Sequence, residues 1–154
     1  MEQSARKDAD RDPVPFTAPD AKILAVDDNQ SNLTVVKLLL KRTGIRPDLC
    51  GSGSRAAELC REKKYDLILL DHMMPEPDGI ETLHMIRSDE NSKNRDTKIV
   101  VLTANAVAGS RQMYLDAGFD ERAMSQNTLI LTWKSMISTA ILWHLSDIRI
   151  IRRI

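Results

Sequence analysis

Short apolar runs alternate along the chain with segments whose apolar positions recur every three or four residues. The runs predict strands at residues 22–26, 66–70 and 98–102, and we also predict a weaker strand at residues 45–50 and a last strand at residues 119–124. The recurring positions predict helices, at residues 29–43, 52–63, 80–87 and 105–117. Strands that alternate with helices of this length form parallel sheets with helices on both faces. We therefore predict a doubly wound α/β domain with a five-stranded parallel sheet.

The run at residues 66–70 is the centre of this pattern, because it ends in a carboxylate and is followed by turn residues. Its four consecutive apolar side chains, at residues 67–70, predict a strand that is buried on both faces. Pro75, Pro77 and Gly79 then impose a loop beside Asp71. Ligands of doubly wound sheets bind at the carboxyl ends of such strands. Asp71 is therefore a candidate for chemistry, and the alternative is that it only caps the next helix.

Composition narrows the class of protein. The 154 residues include 22 basic and 22 acidic side chains, a balance that argues against binding to nucleic acid through bulk charge. Cys50 and Cys60 lack metal-ligand spacing, and the apolar segment at residues 128–145 is shorter than the roughly 20 residues of a membrane span. We expect a cytoplasmic protein with reduced thiols, no direct contact with nucleic acid and no membrane span.

The same pattern divides the chain into three parts. Residues 1–20 are polar and include three prolines, so we expect a flexible lead-in. Residues 21–125 form the predicted domain, and residues 126–154 form an atypical C-terminal tail. Residues 128–145 of this tail can form a helix, but its apolar surface is wider than one face of a small sheet can cover. We therefore expect possible self-association through this helix.

Polar side chains follow three of the predicted strands. Asp27 and Asp28 follow the first strand, Asp71 the third and Thr103 the fourth. In the strand order 2-1-3-4-5, the first and third strands flank the point where the order reverses, so the three carboxylates converge there. Converging carboxylates repel one another unless a cation neutralises them, and Mg²⁺ suits a few hard oxygen ligands. The alternative for the two acids after the first strand is a helix cap.

Four motifs carry a resemblance to a known family. They are AVDDN at residues 25–29, LLDHMMPEPDG at 69–79, LTANA at 102–106 and AGF at 117–119. In order and position they resemble the receiver domain of two-component response regulators and hybrid histidine kinases, which has a flavodoxin-like fold. The resemblance covers about residues 21–120 and implies a function in phosphorelay signal transduction.

The resemblance implies a role for each matching residue of the acidic site. Asp71 is similar to the phosphoacceptor, Asp28 to the direct acidic ligand of Mg²⁺, and Asp27 to the acid that acts through water. The backbone carbonyl of Met73 would also bind the metal. His72 follows the phosphoacceptor directly and should point away from the pocket, because successive residues of a strand face opposite sides. We therefore predict a structural or exposed position for this histidine.

The resemblance also implies partners and a reaction. Thr103 is similar to the switch hydroxyl that bonds the phosphoryl group, and the small side chain of Ala104 leaves room for that group. The implied partner is a histidine kinase or a phosphotransfer domain, which donates the phosphoryl group from a phosphohistidine. On this interpretation the chain is not an enzyme. It is a phosphoacceptor, either a stand-alone receiver or one detached from a hybrid kinase.

The resemblance is lost abruptly after Glu121. A receiver has a lysine followed by a proline after its fifth strand, where the ammonium group pairs with the phosphoryl group. This chain has Ser125 and Gln126 there, and it has Arg122 where the family usually has an aromatic residue. One alternative is therefore a pseudo-receiver that binds a partner but switches poorly. A phosphatase is disfavoured because Met73 replaces the second aspartate that such an enzyme needs.

We hypothesise that the coding frame shifts near Glu121, because gradual divergence would rarely remove three features together. Reading the gene in its other two frames tests this hypothesis. We expect one frame to encode Lys-Pro followed by an amphipathic acidic helix. If neither frame encodes them, residues 121–154 are the tail of a truly divergent receiver.

Overall fold

The computed structural model describes residues 16–103, 110–124 and 152–153. The strands are β1 (Phe16–Thr17), β2 (Ile23–Val26), β3 (Asp48–Cys50), β4 (Leu67–Asp71), β5 (Lys98–Thr103), β6 (Glu121–Met124) and β7 (Arg152–Arg153). The helices are α1 (Gln30–Lys41), α2 (Gly53–Glu62), α3 (Gly79–Ser88) and α4 (Ser110–Ala117). Among these helices, none has the length and hydropathy that crossing a lipid bilayer requires.

Five strands form one parallel sheet in the order β3-β2-β4-β5-β6. Counted along the chain, this order is 2-1-3-4-5, which confirms the predicted doubly wound fold. The register pairs Val26 with Leu70 and Asp71 with Leu102. The carboxyl ends of β2 and β4 therefore lie side by side, at the point where the strand order reverses.

An apolar core covers each face of the sheet, and β4 contributes to both. Leu67 and Leu69 pack with the buried side of α1 on one face. Ile68 and Leu70 pack with residues of α2 and α3 on the other. Because all four side chains are completely buried, the strand has no polar position until Asp71. This double burial explains the uninterrupted apolar run in the sequence.

A capping box fixes the start of α3 beside the end of β4. The backbone N–H of Asp78 donates to Glu81 Oε2 at 2.8 Å, and the N–H of Glu81 donates to Asp78 Oδ1 at 2.9 Å. These reciprocal bonds satisfy backbone donors that a helix start would otherwise leave unpaired. The helix therefore begins at Gly79, directly against the strand end.

The predicted lead-in is part of the folded structure at its end. Phe16–Thr17 pairs antiparallel with Arg152–Arg153. Ala18 is fully buried in the core on the α1 face, and its N–H donates to the carbonyl of Thr43 at 2.8 Å. The prediction that residues 1–20 are a flexible lead-in is therefore wrong at Ala18, whose small apolar side chain fits within the core. The predicted tail helix at residues 128–145 lies outside the described residues.

Gly79 permits the close approach of α3 to the strand end. A Cβ atom at this position would lie 2.5 Å from the carbonyl oxygen of Asp71 and 2.6 Å from the Cα of His72. We expect Gly79→Ala to displace these elements and to lower the free energy of unfolding by about 1–3 kcal/mol, measured by urea denaturation. Gly51→Ala is the matched control, because its Cβ would meet nothing closer than Gln30 Nε2 at 3.8 Å. Equal losses from the two variants would contradict this explanation.

Candidate functional site

Three carboxylates meet at the carboxyl ends of β2 and β4. Asp27 and Asp28 follow β2 directly, and Asp71 is the last residue of β4. One oxygen from each of the three carboxylates lies within 4.8 Å of the other two. Asp27 is buried, Asp71 is partly buried and Asp28 is exposed. The structure thus brings together the three acids that the sequence predicts, in a site that is open to solvent on one side.

Hydrogen bonds orient the buried carboxylate of Asp27. Its Oδ1 accepts from the N–H of Asn29 at 2.8 Å, and its Oδ2 accepts from Asn32 Nδ2 at 2.9 Å. Asn29 caps α1, since its Oδ1 accepts from the N–H of Ser31 at 2.9 Å. The helix-cap alternative for Asp27 and Asp28 is therefore wrong. Sequence analysis did not identify Asn32, whose signal is its place in the first turn of the helix after the two acids.

Backbone donors shape the loop after Asp71. The Oδ1 of this carboxylate accepts from the N–H of Met73 at 3.2 Å. The carbonyl of His72 accepts from the N–H groups of Met74 at 3.0 Å and Gly79 at 3.2 Å. The side chain of Met73 is 63% exposed, so core packing does not constrain it. The backbone of this loop is therefore held more firmly than its side chains.

Burial and mutual repulsion make the negative charge of this site unfavourable. Burial, together with the charges of Asp27 and Asp28, raises the pKa of Asp71 to about 6, against the opposing effect of the Met73 N–H. Burial likewise raises the pKa of Asp27, although the hydrogen bonds from Asn29 and Asn32 lower it. The charged forms of Asp27 and Asp71 therefore carry a free-energy cost that a cation would remove.

Of Thr103, the structure describes only the backbone. This residue ends β5, one residue beyond Leu102, which pairs with Asp71. The side chain of Thr103 lies outside the described part of the chain, as do Ala104 and Ser125. The roles that the sequence predicts for these three residues stay predictions.

The sequence profile of the response regulator receiver domain matches residues 23–123. The chain belongs to the response regulator receiver domain family. The chain is 36% identical over 99 residues to the signal transduction histidine-protein kinase BarA of Shigella flexneri. The aligned region covers 64% of this chain and 11% of that protein. The chain is 32% identical over 131 residues to the sensor protein GacS of Pseudomonas syringae pv. syringae, covering 79% of this chain and 14% of that protein. The chain thus spans only a small part of the length of these relatives.

Solved structures support the same classification. One is the receiver domain of the sensor histidine kinase PA1611 from Pseudomonas aeruginosa PAO1, with a magnesium ion coordinated in its active site cleft. It is 30% identical, with a TM-score of 0.68, over 82% of this chain and 98% of that chain. A response regulator from Hahella chejuensis shares the fold, with a TM-score of 0.72 at 24% identity over 82% of this chain and 96% of that one. The predicted family and flavodoxin-like fold are confirmed.

Replacement of Asp71 by Asn tests the cost of its charge. Because the pKa is raised from 3.8 to about 6 in the receiver domain, protonation stabilises the fold below pH 3.8, and this stabilisation is lost as the pH rises through 6. Without divalent cations at pH 7.5, Asp71→Asn should therefore increase the free energy of unfolding by about 1–2 kcal/mol, after allowance for solvent screening. Denaturant titration should show a smaller difference at pH 4.

Asp96→Asn is the control for this measurement. The carboxylate of Asp96 bonds Lys64 Nζ at 2.7 Å, and this bond lowers its pKa. Its removal should not stabilise the protein at pH 7.5, because the charged form of Asp96 is the favoured one. Equal stability of Asp71→Asn and the parent at pH 7.5 would contradict the raised pKa of Asp71.

Proposed function

We propose that Asp71 accepts a phosphoryl group from a phosphohistidine on a histidine kinase or a phosphotransfer domain. The observation that carries this proposal is the convergence of three carboxylates around Asp71 at the open end of the sheet. The P–N bond of the donor breaks as a P–O bond to the Asp71 carboxylate forms, and the imidazole nitrogen leaves with the electron pair and takes up a proton. The kinase relatives support a donor of this class.

The residues of the site fit Mg²⁺. Asp27, Asp28 and Asp71 would hold it together with the carbonyl of Met73, and all of these ligands are hard oxygen atoms. When bound, the ion supplies positive charge that offsets the carboxylates and the incoming phosphoryl oxygens. Both oxygens of Asp27 already accept hydrogen bonds, which favours its contact through water, whereas the exposed Asp28 suits direct contact. The magnesium-containing PA1611 receiver supports this choice of metal.

A second function is that of a pseudo-receiver, which binds a partner without efficient phosphate switching. The observation in its favour is the presence of Ser125 and Gln126 where the family has Lys-Pro. Without the ammonium group, charge on the phosphoryl group is met only by the metal and by neutral donors. The two functions therefore share the metal site and differ in the yield and the effect of phosphorylation.

Incubation with acetyl phosphate and Mg²⁺ tests the proposed function. Intact mass should show one added phosphoryl group, stable in acid and labile in base, as expected of an acyl phosphate. Asp71→Asn should abolish this adduct because it removes the nucleophile. Equal labelling of this variant and the parent would contradict the assignment of the phosphoacceptor.

Two controls distinguish the alternatives. EDTA should prevent labelling of the parent, and Asp28→Ala should weaken Mg²⁺ binding more than Asp27→Ala does in a calorimetric titration. Equal effects of the two replacements would contradict the distinction between direct and water-mediated ligands. A parent protein that binds Mg²⁺ but does not label would support the pseudo-receiver.

A further inference from the structure

The imidazole ring of His72 joins the end of β4 to α4. Its Nδ1 lies 2.8 Å from the hydroxyl oxygen of Tyr114, and the two rings meet edge to face with their centroids 5.2 Å apart. Tyr114 also meets Phe119 edge to face, with the centroids 5.8 Å apart. The residue next to the proposed phosphoacceptor is therefore in direct contact with a helix that begins 38 residues later in the sequence.

The backbone of His72 is held in a fixed position relative to the end of β4 and the start of α3. Its carbonyl accepts the two N–H groups of Met74 and Gly79, and a Cβ on Gly79 would lie only 2.6 Å from its Cα. The side chain is 19% exposed, so its ring is enclosed as well. The ring is thus a rigid extension of the strand that ends at Asp71.

The neighbours of the ring determine the direction of its hydrogen bond to Tyr114. Nε2 of His72 lies 4.0 Å from Asp78 Oδ2, while the other oxygen of Asp78 accepts from the N–H of Glu81. A carboxylate only accepts hydrogen bonds, so this arrangement favours a hydrogen on Nε2 and leaves Nδ1 as an acceptor. The Tyr114 hydroxyl is then the donor, and replacing Tyr114 with Phe removes the bond without changing any charge.

Tyr114 is the principal anchor of α4. Of the side chains described in this helix, at residues 112–117, that of Tyr114 is buried with 3% of its surface exposed. Gln112, Met113 and Asp116 are exposed, Leu115 is partly buried, and Ala117 packs partly against the same core as Tyr114. A helix of eight residues, with one fully buried side chain among those described, resists displacement weakly. Its position therefore depends strongly on the Tyr114 ring and on the contact of this ring with His72.

We propose that the hydrogen bond between Tyr114 and His72 is a positioning contact through which a phosphoryl group on Asp71 displaces α4. The inference rests on the proposed phosphoacceptor role of Asp71. A phosphoryl group there adds bulk and negative charge one residue from His72. Because the His72 ring cannot turn away without breaking its bond to Tyr114, a shift of the strand end is shared by α4. This route uses no residue after Phe119, so it does not require the lysine that Ser125 replaces.

The probe is beryllofluoride with Mg²⁺. Beryllofluoride binds a carboxylate oxygen and resembles a phosphoryl group, but no phosphoryl group is transferred. Backbone amide chemical shifts of the full chain are compared between the parent and Tyr114→Phe. In the parent, amides at residues 26–29, 71–73 and 112–117 should shift on addition of the probe. In Tyr114→Phe, the shifts at residues 71–73 should persist, while those at residues 112–117 should fall at least about twofold.

Tyr65→Phe is the matched control, since it removes the other tyrosine hydroxyl of the chain. That hydroxyl donates to Asp48 Oδ2 at 2.8 Å, and Tyr65 is as deeply buried as Tyr114. Its loss should lower stability without reducing the shifts at residues 112–117. A second pair of variants repeats the test from the acceptor side. His72→Asn keeps an oxygen at the position of Nδ1 that can accept the Tyr114 hydrogen and should retain the coupling, whereas His72→Leu should lose it.

The outcomes separate this inference from the proposed function. Undiminished shifts at residues 112–117 in Tyr114→Phe, or no shifts there in the parent, would overturn the positioning contact while the site at Asp71 still responds. No shifts at residues 71–73 in the parent would contradict the proposed phosphoacceptor site itself. If Tyr114→Phe fails to fold, equal coupling in His72→Asn and His72→Leu would overturn the proposal.

Discussion

The repulsion among Asp27, Asp28 and Asp71 is the constraint that the rest of the structure has to overcome. It persists because apolar cores on both faces of the sheet fix the ends of β2 and β4 side by side. Asn29, Asn32 and the N–H groups of the following loop then hold the carboxylates in place. Burial of the strands thus stabilises an arrangement that is electrostatically unfavourable without a cation. The acidic site and the stability of the metal-free fold therefore oppose one another.

The sequence predicts the sheet and the acidic site because both follow from local pattern. β2 and β4 are short apolar runs that each end at an acid, so their neighbouring places in the strand order bring Asp27, Asp28 and Asp71 together. The role of Asn32 does not follow from pattern, because it depends on how α1 is rotated relative to the strand end. Ala18 was missed for a similar reason, since a single alanine after a proline-rich segment gives no periodic signal.

The contact between His72 and Tyr114 shows where such prediction ends. Strand alternation predicts that the His72 side chain leaves the acidic pocket, but alternation names no partner for it. The partner lies 42 residues away on α4, and the contact requires the packing of that helix against Phe119. Long-range polar pairs of this kind depend on tertiary geometry at a precision of a few tenths of an ångström. They become visible only in the assembled fold.

The fold continues past the point where the chain departs from the family pattern. The family match ends at residue 123, yet Glu121–Met124 still pairs in parallel with β5, up to the pairing of Thr103 with Met124. A backbone ladder tolerates changed side chains, so an edge strand survives substitutions that would disable a charged contact. A serine hydroxyl at residue 125 cannot supply the charge of an ammonium group. The proposed metal binding and phosphoryl acceptance would depend on β2 and β4, which precede this departure. The proposed response from His72 to Tyr114 would also precede this departure, so the altered end of the domain would not by itself remove the coupling of Asp71 to α4.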